Sequence, residues 1–563
     1  MSVRAIANND MVYLQWTCDA KIPGCLGFSV HRIDLANNQS EPLPTWVGFQ
    51  ADPNVHHEVR DSDRWPIQKF QWKDVTARRG GRFKYRIIPM IGEPASVAPD
   101  PLLAQESNEV TLDPHHGPFG IYFNRGIIST QAIVDLLPKM PDGCPDSEAL
   151  RRLIGQPTAE VRERLAGDLN EVVPSLLARA QAEGGECYCA LYELNDTELV
   201  QALLDSERAH IILSNTGEDD WTNQEARTAL HDAGKDVMDR MLRRDHIGHN
   251  KFVVYVDPQG VPRAVLTGST NWTSTGLCSQ TNNTVIVESE PLARHYLDYW
   301  RALRADNAAQ GAPFRARNAQ AIPAVDLGAG HGSIRPWFSP NTTQPNKPKK
   351  DPATPADLQE VFDLMWAARS GVLFLLFAPG QPSIVTELKK VFTSRADQGE
   401  RLFVRGAATD QSPAQEFKVD LFHRSAWAGA SVVSVAGIDD AFSFWERELY
   451  LLGHAVIHDK IVVVDPFSDD CAVVTGSHNL GFKASYANDE NLLIIRGNRA
   501  VAEAYTAHVL DVYDHFRWRW RLQQAKSSGR EGEPWDSLEE SDHWQDKYFR
   551  PSSPASADAT FWQ

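Results

Sequence analysis

The first 113 residues alternate between apolar and polar positions in short runs. Residues 12–16, 27–33 and 81–88 show this pattern most clearly, and polar stretches with glycine and proline separate them. A period of two places successive side chains on opposite faces of a strand, so each run predicts a half-buried β-strand. Residues 1–113 are therefore predicted to form an all-β module.

From about residue 114 the pattern changes, and the chain then repeats itself. In each half an opening segment leads through helical sequence into an apolar strand, a second strand and finally a helix with aromatic residues at helical spacing. Apolar strands that alternate with amphipathic helices predict an α/β sheet in each half. These segments, first half and then second half, are 119–126 and 334–341, 187–194 and 372–378, 210–215 and 401–406, and 292–300 and 501–513.

Composition shifts along the chain mark the domain boundaries. Residues 340–355 hold too many prolines for regular structure and separate the two halves. Residues from about 526 onward are polar with scattered aromatic side chains, so they form either a packed arm or a mobile tail. The predicted domains are a β-sandwich at 1–113, a first lobe at 114–330 with a helical insertion at 139–171, a second lobe at 331–525 and the C-terminal arm or tail at 526–563.

The composition is that of a globular enzyme, with 42% hydrophobic and 9% aromatic residues. A net charge of −18 disfavours general binding to nucleic acid, while a local basic cleft stays compatible with it. Seven cysteines do not suggest a disulfide framework. Cys187 and Cys189 lie in an apolar run and indicate core packing rather than metal binding. Cys18 and Cys25 either bridge a loop or stay reduced.

The sequence predicts no membrane span and no cleavable leader. A span needs about 20 consecutive apolar residues, and the longest candidate, residues 371–378, has the length of a buried strand. The first ten residues lack the apolar core of a signal peptide. We therefore expect a cytoplasmic protein or one that is exported by a route without a leader.

Each half contains the same set of polar residues, a His-x-Lys followed by Gly-Ser-x-Asn. The interval from the Asn of Gly-Ser-x-Asn to a later Asn is the same in both halves, 271 to 283 and 479 to 491. A single His-x-Lys would carry no weight, but two complete sets in the same order on apolar strands are hard to attribute to chance. The candidate site residues are His249, Lys251, Ser269, Asn271 and Asn282 in the first half, and His458, Lys460, Ser477, Asn479 and Glu490 in the second.

The residue types fit chemistry on a phosphodiester. The alternation in His-x-Lys places both side chains on one face of a strand, and Gly-Ser-x-Asn is expected to return on a neighbouring strand. Two such sets facing one another would offer two ammonium groups and two amides to the phosphate oxygens. One imidazole could then attack phosphorus while the other protonates the leaving oxygen.

These motifs resemble the paired motif of the phospholipase D superfamily over roughly residues 114–525. The resemblance implies two lobes related by a pseudo-twofold axis with the active site between them. It also implies a covalent phosphohistidine intermediate and no requirement for a metal, and we predict no cofactor. For the N-terminal module, Trp16 and the Tyr85-x-Ile87 pattern resemble a fibronectin type III sandwich, although a sandwich of another topology fits nearly as well.

The first copy departs from the second, and the difference suggests roles. The carboxylate position of Glu490 is Asn282 in the first half, and Asp257 lies one residue too far along to match Asp465. We expect Glu490 to pair with His458 and to raise its pKa, which would make His458 the general acid. His249, with only an amide at the matching place, would be the nucleophile, and the family resemblance implies the same order.

Other residues near the motifs are given structural interpretations. Asp465 opens a turn and is predicted to be structural. His246 and His454, which precede the two motif histidines, are predicted to be loop or rim residues. Three tryptophans lie near motif strands, Trp221, Trp272 and Trp445. Packing is the preferred interpretation, and the alternative is that they line the substrate mouth.

The leading functional hypothesis is a phospholipase D that hydrolyses phospholipid head groups or transfers them to an alcohol. Sixteen tryptophans fit transient contact with a membrane surface. The alternative is a nuclease or other nucleic-acid phosphodiesterase on the same scaffold, and the amide at Asn282 also resembles the tyrosyl-DNA phosphodiesterase branch. A third hypothesis is an inactive pair of lobes that serves only for binding.

Overall fold

The computed structural model describes the chain except for a few segments. The residues outside this description are 55–57, 126–137, 139–146, 216–219, 308, 410–429, 435–456, 528–536, 551–552, 554, 557–560 and 563.

Residues 2–111 form a sandwich of two antiparallel sheets, the β-rich module that the alternation predicts. Inward-facing side chains of both sheets share one core, in which the rings of Trp16 and Phe28 meet edge to face with centroids 5.4 Å apart. The strands are β1 (Ser2–Ala7), β2 (Val12–Thr17), β3 (Cys25–Asp34), β4 (Gln39–Pro42), β5 (Pro44–Thr45), β6 (Arg60–Asp61), β7 (Gln71–Asp74), β8 (Arg82–Glu93), β9 (Ser96–Pro99), β10 (Gln105–Glu106) and β11 (Val110–Thr111). One sheet has the order β1-β2-β7, and the other has the order β10-β8-β3-β4 with β9 and β11 also paired to β8. The fibronectin type III likeness stays a prediction.

The first lobe contains an eight-stranded mixed sheet and its helices. Its strands are β12 (His115–His116), β13 (Phe119–Phe123), β14 (Glu186–Leu191), β15 (Ala209–Asn215), β16 (Asp236–Met241), β17 (Lys251–Val256), β18 (Pro262–Gly268) and β19 (Asn283–Glu288). Its helices are α1 (Ser147–Ile154), α2 (Glu160–Ala166), α3 (Leu169–Val172), α4 (Ser175–Glu183), α5 (Thr197–Asp205), α6 (Gln224–Asp232), α7 (Ser274–Cys278), α8 (Glu290–Asp306) and α9 (Ala312–Asn318). The predicted helical insertion corresponds to α1, α2 and α3 within its described part.

The second lobe contains a second eight-stranded sheet. Its strands are β20 (Val325–Asp326), β21 (Ser333–Ser339), β22 (Gly371–Leu376), β23 (Phe403–Ala408), β24 (Ala430–Ser434), β25 (Lys460–Val464), β26 (Ala472–Gly476) and β27 (Glu490–Arg496). Its helices are α10 (Ala356–Ala367), α11 (Ile384–Asp397), α12 (Phe482–Ala487) and α13 (Arg499–Ser527).

The two sheets have the same strand order, which confirms the predicted pair of related α/β lobes. The first reads β12-β13-β19-β18-β17-β14-β15-β16 and the second reads β20-β21-β27-β26-β25-β22-β23-β24. In each sheet three strands run parallel, joined in the first lobe through α5 and α6, while the motif strand pairs antiparallel to the first of them. The repeat in sequence is thus a repeat of topology.

Aromatic rings of α8 and α13 join the two lobes. Tyr299 of α8 stacks on Phe338 of the second lobe, and His508 of α13 stacks on Phe123 of the first, each with ring centroids 4.0 Å apart. Both stacks belong to one core cluster, which also includes Tyr13 from the sandwich. The lobes therefore share a hydrophobic core instead of meeting at a wet interface.

The two asparagines at matching intervals also cross this interface. The Oδ1 atom of Asn491 accepts a hydrogen bond from Thr267 of the first lobe at 2.7 Å. The Nδ2 atom of Asn283 donates to Thr475 of the second lobe at 2.8 Å. All four side chains are buried, so each bond satisfies groups that would otherwise be costly to bury.

The C-terminal arm packs on the sandwich. Trp544 lies in the sandwich core against Phe28 and Phe70, and its indole Nε1 donates to the carbonyl of Cys25 at 2.8 Å. Trp562 stacks on Tyr13 with ring centroids 5.6 Å apart. Of the two outcomes that the sequence left open, the described part of this segment is a packed arm.

The cysteines that the sequence singles out are reduced, so of the two alternatives for Cys18 and Cys25 the structure has the unbridged one. Cys18 and Cys25 are both free thiols, and Cys187 and Cys189 are buried in β14. Within the described residues, no helix combines the length and the apolar character that a membrane crossing requires.

A buried ion pair also holds the lobes together. Arg240 of the first lobe contacts Asp489 of the second, and neither side chain is more than 2% exposed. Asp306 and the Leu303 carbonyl accept two further hydrogen bonds from Arg240. Gln310 donates to Asp489 at 2.9 Å. Removing one partner of such a pair leaves a buried charge without compensation.

We predict that Asp489→Ala lowers the free energy of unfolding by up to about 3–5 kcal/mol, because Arg240 keeps only Asp306 as a buried counter-charge and Gln310 loses one of its acceptors. The matched control is Asp298→Ala, whose partner Arg301 is exposed and lies 3.5 Å away, and it should cost about 1 kcal/mol or less. Calorimetric melting of both variants measures the difference. Equal small shifts would contradict a structural role for the buried pair.

Candidate active site

Both His-x-Lys motifs lie where the motif strand enters its sheet. Lys251 opens β17 opposite Leu191, the last residue of β14, and Lys460 opens β25 opposite Leu376, the last residue of β22. Each histidine precedes its lysine by two residues and is buried with it. Because the two sheets share one topology, the shared interface brings these two strand ends together.

The two histidines face each other between the lobes. The ring centroids of His249 and His458 are 6.5 Å apart, and the planes are inclined by 69°. A group the size of a phosphate can therefore contact both rings. This is the juxtaposition that the paired motifs predict.

Each histidine takes its hydrogen-bond partner from the opposite lobe. Nδ1 of His249 is 2.8 Å from Oε2 of Glu490, and Nδ1 of His458 is 2.9 Å from Oδ1 of Asn282. The expectation that Glu490 pairs with His458 is therefore wrong. The carboxylate belongs to the histidine of the first lobe, and the amide belongs to that of the second.

The backbone explains this exchange. Gly248, just before His249, forms a parallel bridge with Asp489 across the interface, and Thr281 does the same with Ile457. The backbone N–H of His458 donates to the Thr281 carbonyl at 3.1 Å. His249 therefore lies beside Glu490, which follows the bridging Asp489. In the same way, His458 lies beside Asn282, which follows the bridging Thr281.

The two serines orient these partners. Ser477 donates to Oε2 of Glu490, and Ser269 donates to Oδ1 of Asn282, both at 2.8 Å. The Nδ2 atom of Asn282 donates to a backbone carbonyl, which fixes its oxygen toward His458. Both serine hydroxyls are thus committed to positioning the acceptors, and each acceptor receives the Nδ1–H of its histidine.

The two lysines are held against their own strands. Nζ of Lys251 donates to the His249 carbonyl at 2.8 Å, and Nζ of Lys460 donates to the His458 carbonyl at 2.5 Å. Tyr192 and Phe377, which follow β14 and β22, lie beneath them at 4.8 and 5.2 Å from Nζ to the ring centroid. The same rings contact the histidines. Sequence reasoning missed this aromatic pair, although its place directly after two matching strands was a usable signal.

The asparagines of the Gly-Ser-x-Asn motifs have unsatisfied oxygens. Among the described residues, Oδ1 of Asn271 and Oδ1 of Asn479 are buried without a hydrogen-bond partner. The Nδ2 atom of Asn271 donates to Glu193, two residues beyond the end of β14. Sequence reasoning missed Glu193 as well, since the second half has no acidic residue at the matching place.

Burial dominates the ionisation of the imidazoles. It lowers the pKa of His249 to about 4, although the Glu490 carboxylate opposes the shift. Burial and the charges of Lys460 and Lys251 lower the pKa of His458 well below its usual value. Both rings are therefore neutral at pH 7 in the empty site, with Nε2 unprotonated because Nδ1 carries the hydrogen.

Burial also lowers the pKa of the two lysines, whereas the neighbouring His249 decides that of Glu490. Burial lowers the pKa of Lys251 to about 7, and burial together with Lys251 lowers the pKa of Lys460 well below its usual value. Burial alone would raise the pKa of Glu490, but His249 holds it below the usual value. Crowded buried cations make this pocket suited to an anion.

The two motif aspartates have structural roles. Asp465 accepts hydrogen bonds from the backbone N–H groups of Arg369, Ser370 and Gly371, which fixes the start of β22. Asp257 instead closes the turn between β17 and β18 and pairs with Arg263. The extra residue before Asp257 accounts for the difference, and neither carboxylate contacts the histidines.

The remaining candidates lie outside the pocket or outside the described residues. His246 is buried in a network with Gln310 and Arg243, so it is a loop residue but not an exposed rim. Trp272 is buried core, whereas Trp221 is 74% exposed. His454 and Trp445 lie outside the described residues. In the part of the chain that the structure describes, no group of three His, Cys, Asp or Glu side chains has metal-binding geometry.

Comparisons with solved structures give distant likenesses. The phosphatidylserine synthase of Haemophilus influenzae is 13% identical with a TM-score of 0.39, over 65% of this chain and 92% of that one. Yeast tyrosyl-DNA phosphodiesterase is 12% identical with a TM-score of 0.33, over 58% and 88%. Polyphosphate kinase from Porphyromonas gingivalis is 11% identical with a TM-score of 0.36, over 58% and 45%, so this chain spans less than half of that kinase. No curated protein matches the chain.

A family model matches a segment of each lobe. The model described as the PLD-like domain of cardiolipin synthase matches residues 175–304 and 430–511. The first segment holds the motif of His249 and the second holds that of His458, so each lobe carries one matched segment. The match covers both motifs and supports an assignment of the two lobes to the phospholipase D superfamily, whose enzymes are phosphodiesterases or phosphotransferases.

Proposed function

We propose that this protein is a phosphodiesterase that cleaves phospholipid head groups through a covalent phosphohistidine on His249. The observation that carries the proposal is the pair of facing histidines with crossed and unequal partners, Glu490 on one and Asn282 on the other. The two rings are placed to attack and to protonate on opposite sides of one phosphorus.

His249 is the nucleophile in this proposal. Glu490 accepts the Nδ1–H of His249, which leaves the Nε2 lone pair free to form a bond to phosphorus. The phosphorylated ring is cationic, and the adjacent carboxylate stabilises it. The assignment agrees with the sequence-based one, but for the opposite reason, because the carboxylate serves the nucleophile and not the acid.

His458 is the general acid and then the general base. Lys460 and Lys251 depress its pKa in the empty site. A phosphate anion bound between these ammonium groups offsets their charge and lets Nε2 take up a proton. His458 then gives this proton to the leaving alcohol as the bond from phosphorus to that oxygen breaks. Neutral again, it accepts a proton from the water or alcohol that releases His249.

The lysines and motif asparagines hold the phosphate. Nζ of Lys251 and Nζ of Lys460 each make one hydrogen bond to a carbonyl and keep donors for the non-bridging oxygens. The amides of Asn271 and Asn479 border the same space. Because these donors are fixed before the substrate arrives, they stabilise the charge that develops on the pentacoordinate phosphorus.

Two exposed side chains favour a lipid substrate. Trp221 follows β15, and Met241 ends the neighbouring β16; they are 74% and 51% exposed. The motif histidines lie at the same carboxyl edge of these parallel strands. A tryptophan and a methionine at this edge suit contact with a lipid surface. The cardiolipin synthase description of the family model points the same way.

A nucleic-acid substrate is the second candidate, and a basic cluster favours it. Arg243 and Arg244 are exposed on the loop that leads to His249. Arg243 donates to the Pro345 carbonyl and to Asn346, which holds Lys347 and the lysines that follow it beside this loop. The cations on these two adjoining segments could bind a phosphate backbone although the chain has a net charge of −18.

The roles of the histidines predict a dependence on the leaving group. His458→Ala should slow cleavage of a diester with an ordinary alcohol by about 10²–10⁴-fold. It should affect p-nitrophenolate release less, since that group leaves without a proton, and phosphoenzyme should accumulate on His249. His249→Ala should abolish turnover of both substrates.

Burst kinetics and mass spectrometry after an alkaline quench measure these effects. His543→Ala, a change at an exposed histidine of the C-terminal arm, is the control and should behave as the parent protein. A phosphoryl group found on His458 would reverse the assignment.

The pKa values predict a bell-shaped profile of kcat/KM. The nucleophile must be neutral, so the rate should fall below pH 4 as His249 takes up a proton. Lys251 must be charged to hold phosphate and His458 must take up a proton to act as the acid, so the rate should fall at high pH, above about pH 7 at the latest, by up to tenfold per unit for each group.

Calorimetry adds an independent check on the alkaline side. Dimethyl phosphate binding at pH 8, measured in two buffers of different ionisation enthalpy, should show proton uptake by the lysines and by His458. If kcat/KM stays constant to pH 9 and binding takes up no proton, titration of these groups is not the cause of an alkaline decrease.

Matched variants at exposed side chains near the pocket distinguish the lipid candidate from the nucleic-acid candidate. If lipid is the substrate, Trp221→Ala should reduce activity on phosphatidylcholine vesicles by about tenfold and leave a soluble short-chain diester unaffected. Trp366→Ala, on α10 of the second lobe and 40% exposed, is the control. Hydrolysis of single- or double-stranded DNA that Arg243→Ala weakens, with no activity on vesicles, would instead favour the nucleic-acid candidate.

A further inference from the structure

One acidic side chain breaks the symmetry of the pocket without a part in the proposed reaction. Glu193 lies two residues beyond Leu191, the partner of Lys251 across the strands. The same count from Leu376, the partner of Lys460, reaches Ala378, which is exposed. Among the residues that the structure describes, the pocket therefore has a carboxylate on the first-lobe side without a counterpart at the matching place on the second.

Glu193 belongs to the phosphate-binding end of the pocket. Its Oε2 accepts a hydrogen bond from Nδ2 of Asn271, one of the two motif amides. Burial raises the pKa of Glu193, and the charges of Lys251 on β17 and Lys460 on β25 oppose this rise. The carboxylate thus interacts with Asn271, Lys251 and Lys460, the same groups that hold the phosphate in the proposed reaction.

We propose that Glu193 makes the site selective for singly charged phosphodiesters over doubly charged phosphate monoesters and similar dianions. The inference rests on the proposed function and specifies its substrate class. Two ammonium groups face two carboxylates, Glu193 and Glu490, so the pocket offers little positive charge in excess. A diester adds one negative charge, whereas a dianion adds two beside a fixed carboxylate.

The reaction gives this selectivity a use. Hydrolysis of a phosphodiester yields an alcohol and a phosphate monoester, which gains a second charge once it loses a proton. The lysines and amides that hold the substrate would also hold this product. A carboxylate next to them repels the product more than the substrate, since the repulsion scales with charge. Glu193 therefore favours release of the product.

Binding of two simple anions tests the inference without turnover. Dimethyl phosphate carries one negative charge at pH 7 and sulfate carries two, and isothermal titration calorimetry measures the Kd of each. Glu193→Gln keeps an oxygen that accepts from Asn271 and removes the charge. We expect it to tighten sulfate binding relative to dimethyl phosphate by at least about tenfold. Glu225→Gln, on the exposed surface of α6, is the matched control and should leave the ratio unchanged.

A second variant keeps the inference testable if Glu193→Gln fails to fold. Ala378→Glu places a carboxylate at the matching position of the second lobe, and it should weaken sulfate more than dimethyl phosphate. An unchanged ratio in the folded variants, or equal weakening of both anions, would overturn the inference and leave Glu193 with a purely structural hold on Asn271.

Failure of the inference and failure of the proposed function remain distinguishable. Diester hydrolysis by the parent protein together with an unchanged ratio would remove the inference alone. A shifted ratio in a protein that cleaves neither lipid, nucleic acid nor chromogenic diesters would keep the charge selection and remove the proposed reaction.

Discussion

The hydrogen bond between His249 and Glu490 crosses the interface between the lobes, and the site depends on that crossing. Neither lobe by itself holds a complete imidazole with its partner, because Glu490 belongs to the second lobe and His249 to the first. The parallel bridges at Gly248 and Thr281 set this exchange, and the buried Arg240–Asp489 pair lies next to one of them. The contacts that join the lobes therefore also assemble the active site.

The same interface decides the ionisation of the site. Two imidazoles, two ammonium groups and two carboxylates lie in this pocket, and burial shifts the pKa of His249 and of both lysines downward. The shared aromatic core keeps them there, since separation of the lobes would expose large apolar surfaces. A bound phosphate anion favours the charged forms of the two lysines and of His458, so substrate binding offsets part of the cost of burying these groups together.

Much of this protein could be predicted from the sequence because its signals are local. The period of two in the first module, the repeated order of apolar strands and helices, and the two sets of His-x-Lys and Gly-Ser-x-Asn all lie within short windows of the chain. Strand alternation alone places His249 with Lys251, and His458 with Lys460, on one face. The turn that begins at Asp465 and the burial of Cys187 follow from equally local patterns.

The sequence by itself thus determined the two lobes, the sandwich and the two polar sets, whereas the tertiary structure decided which residue serves which histidine. Spacing along the chain suggested that Glu490 would serve the histidine of its own lobe, but only the interface shows that it reaches His249. Glu193 and the rings of Tyr192 and Phe377 came into view for the same reason. A local pattern fixes what a strand presents, while contacts between distant segments depend on how two completed sheets pack together.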